Sequence, residues 1–383
     1  MQLAFDVATY RERIARVRRS LRDQGIDAVL VTMPDSIHWL TGYDTIGYLW
    51  TQALLVDASD DEPTLFTRTT EEPGVKETSW LTSGVFYDIA QVDPMEVQAD
   101  ALRRRGHHTG KVAVDLQAFT FLPASWERLK QLLPEAEFVD GSEIVPELRL
   151  VKSPAELAYQ RQAAAMADYA MSEAFAALRP GLSEVELAGI ISRALGEAGS
   201  EYAAIPPMVV SGPRSALVHG MATRRTISLG DVVCMEFAGT VHRYHGILMR
   251  TAVIGAPSAE VAETSAVLEE AVEVAIKGCK IGAPVHQPDD ECNAVLDRLD
   301  LSRRRCHRLG YSTGIAYPPG WLEPMTLVEG DPHRFEAGMS FSVEPNLTLL
   351  DRGFGLKQGD TVEAGPDGGV SMSKLGHGLT VID

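Results

Sequence analysis

Apolar residues recur at helical spacing at Ile14, Val17 and Leu21, behind Thr9-Tyr-Arg-Glu12, which has the form of a capping box, and Gly25 stops the run. The pattern predicts a helix over residues 9–24. Ala28-Val-Leu-Val31 follows, a short apolar run rich in valine, which reads as a buried strand. Ala53–Val56, Thr64–Thr67, Lys111–Val114 and Glu137–Val139 repeat that signature with polar or helical material between them, so an α/β domain is expected at the N-terminus.

At Leu148-Arg-Leu-Val-Lys-Ser-Pro-Ala-Glu156 a strand-like piece meets Ser153 as N-cap, Pro154 at the first helical position and Glu156 closing a capping box. This junction divides the chain into domains of residues 1–147 and 148–383. An alanine-rich helix is predicted from there to about Leu178. Ser183–Glu186 then opens a second helix that ends near Gly196, and a third covers 260–277, with Val261, Leu268, Val272, Ala275 and Ile276 on one face. Strands are predicted at 206–211, 232–238, 247–254, 339–349 and 361–363.

Composition narrows the function classes. At 383 residues the chain exceeds what one hydrophobic core serves, and its 45% hydrophobic and 23% charged residues are ordinary for a globular protein. A net charge of −18 repels nucleic acid and anionic lipid, so neither nucleic acid nor membrane is an expected partner. The basic groups Arg16, Arg18, Arg19 and Arg22 and Arg303–Arg305 read as solvated faces. Cys234, Cys279, Cys292 and Cys306 form no CxxC pair and read as free thiols. With no signal-peptide pattern at Met1 and no apolar run approaching membrane-spanning length, a reducing cytoplasm is the expected compartment.

Periodicity does not explain several segments of the second half. These are Ser211-Gly-Pro-Arg-Ser-Ala-Leu-Val-His-Gly220, Gly230-Asp-Val-Val-Cys-Met-Glu-Phe-Ala-Gly239, Arg250-Thr251, Gly310-Tyr-Ser-Thr-Gly314 and Phe335-Glu-Ala-Gly-Met-Ser-Phe-Ser-Val-Glu-Pro345. Together they resemble the pocket segments of the creatinase and aminopeptidase P family, and Trp39-Leu-Thr-Gly-Tyr43 resembles its N-terminal domain. The resemblance implies an α/β (α+β) protein with a smaller creatinase-like N-terminal domain and a C-terminal pita-bread domain, working as a homodimer on a small-molecule substrate. In such dimers the loop around Tyr43–Trp50 approaches the partner's pocket.

Metallopeptidases of that family hold two ions with two aspartates, a histidine and two glutamates. Those positions fall here on Glu236, Ile247, Tyr311, Glu344 and, without a gap, Gly359, beside Asp360. Two carboxylates make neither a two-metal site nor a single site of three or four ligands. The resemblance therefore points to the family's metal-free branch, with creatinase and ectoine hydrolase, and to no cofactor.

In creatinase a histidine at the position of His219 moves the protons, and imidazole titrates where that work is needed. Glu344 is expected to hold a cationic or amide-bearing substrate, or to form a structural ion pair with Arg250. Glu236 lies among apolar neighbours that suit a proton donor. Tyr311 offers a phenol to an oxyanion or a substrate carboxylate. Tyr244, His245 and Arg250, on the strand of the second aspartate, are candidate substrate contacts, with Arg250 as an anion clamp. Trp321, in Pro318-Pro-Gly-Trp321, is expected as an aromatic lip. Met249 replaces the glutamate with which creatinase grips a guanidinium, which argues against creatine itself.

The expected activity is metal-independent hydrolysis of a C–N bond in a small amidine, amide or modified amino acid. The alternatives are a metal-dependent Xaa-Pro peptidase, using Glu236, Glu344 and Asp360 with a residue such as His245, and a peptidase-like binding protein without catalysis.

Overall fold

The computed structural model describes residues 3–59, 62–305 and 307–383. Its chain separates into two compact units, Met1–Arg149 and Leu150–Asp383.

The first unit is a six-stranded mixed sheet flanked by helices. Its strands are β1 (Ala28–Val31), β2 (Ala53–Asp57), β3 (Thr64–Arg68), β4 (Gly84–Tyr87), β5 (Lys111–Val114) and β6 (Glu137–Asp140), in the order β4-β3-β2-β1-β5-β6. Helices α1 (Val7–Asp23), α2 (Pro34–Thr41), α3 (Glu72–Thr78), α4 (Pro94–Arg104), α5 (Pro123–Leu132) and α6 (Ile144–Arg149) connect them. Every residue of β1 is buried, as its unbroken apolar run demands. Helix α1 starts earlier than its pattern suggested. Asp6, not Thr9, is the N-cap, because its carboxylate accepts the Thr9 backbone N–H at 2.8 Å.

The second unit opens with α7 (Pro154–Ala177) and α8 (Glu184–Glu197), and both begin in the capping boxes at Ser153 and Ser183. Strands β7 (Met208–Ser211), β8 (Val232–Val241) and β9 (Tyr244–Ile254) follow. Next come α9 (Ala259–Gly278), α10 (Gln287–Leu296), β10 (Gly310–Ser312), β11 (Ser340–Val343), β12 (Leu347–Leu349), β13 (Phe354–Leu356), β14 (Gly359–Glu363), β15 (Val370–Ser371) and β16 (Thr380–Ile382). An eight-stranded sheet runs β10-β11-β14-β9-β8-β7, with β15 on β14 and β16 on β9.

Helices α7 and α8 cover one stretch of this sheet, burying Ala167, Met171, Leu187 and Ile191 with Met235, Phe237 and Leu248. Helices α9 and α10 pack on another, where Leu268, Val272 and Cys292 join Phe341, Val343 and Val362. The β8–β9 hairpin lets α7 approach through paired glycines. A Cβ on Gly239 would lie 2.1 Å from the Ala163 carbonyl oxygen and one on Gly246 2.2 Å from the Ala164 nitrogen.

Cys234, Cys279 and Cys292 are buried free thiols, and Cys306 lies outside the described residues. The basic clusters are largely engaged in the unit that carries them. Arg19 pairs with Glu12, Arg304 with Asp351 and Arg305 with Asp289. Among the described residues no helix is long and apolar enough to cross a membrane.

Candidate active site

One face of the second unit's sheet carries the site, and strand register shows which residues reach it. Glu236 stands opposite Met249, Ala238 opposite Ile247, and Gly359 opposite Met249. Tyr311 faces Ser342, which faces Thr361. Side chains alternate between the faces of a sheet. The five family metal positions, Glu236, Ile247, Tyr311, Glu344 and Gly359, therefore gather on or beside one surface.

A cavity of about 410 Å³ lies there, bordered by His219, Glu236, Tyr311, Trp321 and Glu344. Ile205, Met208, Val218, Met221 and Leu322 give it an apolar wall. His219 is exposed, on the loop after a 3-10 turn at Gly212–Ala216.

Glu236 and Glu344 occupy different environments. The Lys357 ammonium donates to Glu236 Oε2 at 2.6 Å, and the two side chains are only 3% and 7% exposed. Lys357 also donates to the Val218 carbonyl, which ties down the residue before His219. Glu344 Oε2 accepts from Ser342 Oγ at 2.6 Å and from the Tyr311 hydroxyl at 3.1 Å. Burial first, then the neighbouring Glu236 carboxylate, push the Glu344 carboxyl up to about 8. Glu344 is thus a carboxyl that burial favours in its protonated form, while Glu236 has a cation beside it. Arg250 is not the partner of Glu344.

Tyr311 is fully enclosed, and burial followed by the charges of Glu344 and Glu236 holds its phenol well above the usual range. It stays protonated, and its single proton goes to Glu344. Its oxygen accepts from Trp321 Nε1 at 2.8 Å. Trp321 is 1% exposed, a wall of the cavity rather than the expected lip.

Tyr244, His245 and Arg250 do not line the cavity. Tyr244 and Arg250 each lie three residues from Ile247, on the opposite face of β9. The Tyr244 hydroxyl donates to Glu156 Oε1 at 2.7 Å, and Arg250 pairs with Asp360 Oδ1 at 2.8 Å and donates to the Leu375 and Gly376 carbonyls. His245 has the cavity-side parity but is completely buried beside the Trp321 ring. Its Nδ1 donates to the Arg243 carbonyl and its Nε2 accepts from the Ala204 N–H, and burial lowers the ring to about 3. These three residues hold the scaffold.

Four residues missed in the sequence complete the site. Lys357 is one, and Gly359, two positions on along the same strand-like run, was its available signal. The others are His307, Arg308 and Asn346. His307 Nδ1 donates to the Arg308 carbonyl at 2.7 Å, which leaves Nε2 as acceptor, 3.5 Å from Asn346 Nδ2; burial lowers the ring's pKa. Asn346 Nδ2 also contacts the Met249 sulfur at 3.4 Å, so Met249 supports the floor.

The donor set does not fit the family's two-metal centre. Ile247 and Gly359 carry no ligand atom, Tyr311 directs its proton at Glu344, and an ammonium holds Glu236. Asp360 is on the far face with Arg250 and His377, and both ring nitrogens of His245 are engaged. Among the described residues no group of three or more His, Cys, Asp or Glu side chains is arranged to hold an ion.

Residues 158–366 match the model of metallopeptidase family M24, and residues 13–151 match the creatinase/prolidase N-terminal domain. The chain belongs to family M24. It is 29% identical to ectoine hydrolase of Halomonas elongata over 376 residues, covering 94% of each chain. It is also 29% identical to Xaa-Pro dipeptidase of Lactobacillus helveticus over 340 residues, covering 87% of this chain and 89% of the relative. The crystal structure of dipeptidase PepE from Mycobacterium ulcerans superposes with a TM-score of 0.85 at 28% identity, covering 99% of both chains. In this family member the fold is kept and the ligand positions are refilled.

Proposed function

We propose that this protein is a metal-independent hydrolase of a C–N bond in a small amidine, amide or modified amino acid, with His219 as its acid–base group. The observation that carries the reading is the Lys357–Glu236 ion pair beside the Tyr311–Glu344 hydrogen bond: an ammonium engages the carboxylate at one position the family uses for a metal ligand, and a phenol stands at another. Similarity to ectoine hydrolase over nearly the whole chain supports it.

In this reading His219 takes a proton from water as its oxygen attacks the scissile carbon. Glu344, protonated near neutral pH, donates to the leaving nitrogen as the C–N bond breaks, and His219 returns its proton to Glu344 at the end of the cycle. Tyr311 and Ser342 orient Glu344, and the Lys357 ammonium holds the Glu236 carboxylate in place beside them. The cavity volume limits the substrate to a compact molecule.

Turnover of amidines, ureides, N-carbamoyl and N-acyl amino acids and cyclic compatible solutes, measured after chelator treatment, tests this. Activity that survives EDTA with substoichiometric divalent metal is expected. One bound metal per chain, with activity lost on chelation and restored by manganese or cobalt, overturns the reading in favour of a metal-dependent peptidase. Ligand binding with no turnover of any candidate points to a binding protein.

A further inference from the structure

The turn joining β8 to β9 carries large residues where its shape favours small ones. Val241 pairs with Tyr244, so His242 and Arg243 alone make the reversal, and both have positive φ, 47° and 66°. A two-residue hairpin turn with both φ angles positive takes asparagine or glycine by preference, because a Cβ there crowds the backbone. Other residues persist in that conformation where contacts elsewhere over-determine it.

Arg243 makes such contacts. Although it sits in a turn, it is 0% exposed. Its guanidinium carbon lies 3.8 Å from the centre of the Tyr202 ring and 4.8 Å from that of Tyr317, while Nη1 donates to the Tyr202 carbonyl at 2.8 Å and Nη2 to the Ala316 carbonyl at 3.2 Å. The backbone of the turn repeats both attachments. Glu201 accepts from the His242 and Arg243 N–H groups, each at 3.1 Å, and the Arg243 carbonyl accepts from the Ala316 N–H at 3.1 Å. His245, two residues on, takes the Ala204 N–H.

The two segments joined in this way, residues 201–205 and 314–321, belong to no helix or strand. The first ends in Ile205 and the second in Trp321, and both residues line the cavity. Trp321 Nε1 in turn donates to the Tyr311 oxygen, and the Tyr311 hydroxyl donates to Glu344. A planar fork that stacks on rings and donates in its own plane suits this junction, and an ammonium does not reproduce it.

We propose that Arg243 is a positioning residue of the active site. It does not line the cavity; its guanidinium staples segments 201–205 and 314–321 together, so that Ile205 and Trp321 stand as a fixed wall and Trp321 keeps the Tyr311 phenol on Glu344. The strained turn is what places the guanidinium between the two segments. Its effect on turnover rests on the hydrolase reading above, whereas the fixing of the wall does not.

Arg243→Gly separates the side chain from the turn, since glycine suits the positive φ and deletes the staple. Full-length wild type, R243G, R243K and H242G are compared by hydrogen exchange read by mass spectrometry and by turnover of N-acetyl and N-carbamoyl amino acids and cyclic amidines, with thermal unfolding as a check on folding. In R243G, exchange across 201–205 and 314–321 should quicken by roughly tenfold or more while the rest of the chain exchanges as in wild type. Its kcat/KM should fall by roughly tenfold to a hundredfold, the scale of a wall displaced away from the chemistry. R243K, which keeps the charge without the fork, should recover part of both losses. H242G relieves the same kind of strain and keeps the guanidinium, so it should exchange and turn over as wild type and unfold at an equal or higher temperature.

Unchanged exchange in the two segments of R243G overturns the proposal. So does faster exchange spread evenly over the chain, which marks a residue that only stabilises the fold, or the same local loosening in H242G, which assigns the effect to the turn. If R243G does not fold, R243K decides: wild-type exchange in both segments overturns the staple. Turnover separates this proposal from the hydrolase reading. Full kcat/KM in R243G with loosened segments leaves the hydrolase and removes Arg243 from its machinery, whereas local loosening in R243G with no turnover by wild type keeps the staple and removes the hydrolase.

Discussion

Replacing Lys357 with Met leaves the Glu236 carboxylate buried without its cation. The pair is 2.6 Å apart with both side chains more than nine-tenths buried, and breaking such a pair from one side costs about 3–5 kcal/mol. For a domain of this size that lowers Tm by roughly 6–20 °C. Lys357→Met also frees the Val218 carbonyl, so the His219 loop should loosen and activity should fall with stability. The deficit depends on pH in a defined direction. The stranded carboxylate can escape by taking up a proton, so the variant should lose less relative to wild type near pH 5 than near pH 8. Adding Glu236→Gln removes the stranded charge and should recover most of the lost stability. Urea unfolding of the wild type, both single variants and the double variant closes the cycle. A cost below about 1 kcal/mol for Lys357→Met at neutral pH, or a double variant no more stable than the single, would show that no charge is stranded at Glu236.

His219→Ala should lower kcat on the true substrate by roughly a hundredfold or more, with unchanged thermal unfolding because the side chain is exposed; full turnover in the variant removes its acid–base role. Glu344 stabilises the fold in its protonated form, so its contribution is complete below its ordinary value near 4.5 and is lost as pH rises through about 8. Stability–pH curves of wild type and Glu344→Gln should diverge across that window, and kcat/KM should fall above about pH 8 in wild type with that limb missing in the variant. A homodimer is expected, since Ile46 and Leu49 in the Tyr43–Trp50 segment are 67% and 55% exposed, and a monomer by light scattering at working concentration counts against it.

Much of the fold was legible because local chemistry punctuates it. The capping boxes at Ser153 and Ser183 mark helix starts without reference to anything distant, and the Ala28–Val31 run is apolar because both its faces are buried. The short helices starting at Pro34, Pro94 and Pro123 lacked a long enough period to stand out, although proline in the first turn of each was a usable signal. In the site, His219, Glu236, Tyr311, Trp321 and Glu344 reach one cavity as the motifs suggested. The Tyr244 and Arg250 placements failed on parity, which Ile247 already defined: residues three apart on a strand point to opposite faces. Lys357 and Glu236 are 121 residues apart, and no local pattern announces such a pair. Only the sheet, by setting β14 against β9 and β9 against β8, brings them together.

Gly359 limits how the family's two-metal ligand set could be built into this pocket. A Cβ there would lie 2.9 Å from both the Glu344 Cβ and the Val343 carbonyl oxygen, so even alanine requires β11 to move. Grafting ligands onto Ile247 and Tyr311 alone therefore leaves the set incomplete, and adding the glutamate at 359 first disturbs Glu344, the one carboxylate that both kinds of site share. Building that ligand set meets an ordered obstacle: the ligand at 359 is sterically blocked until the backbone holding Glu344 has shifted.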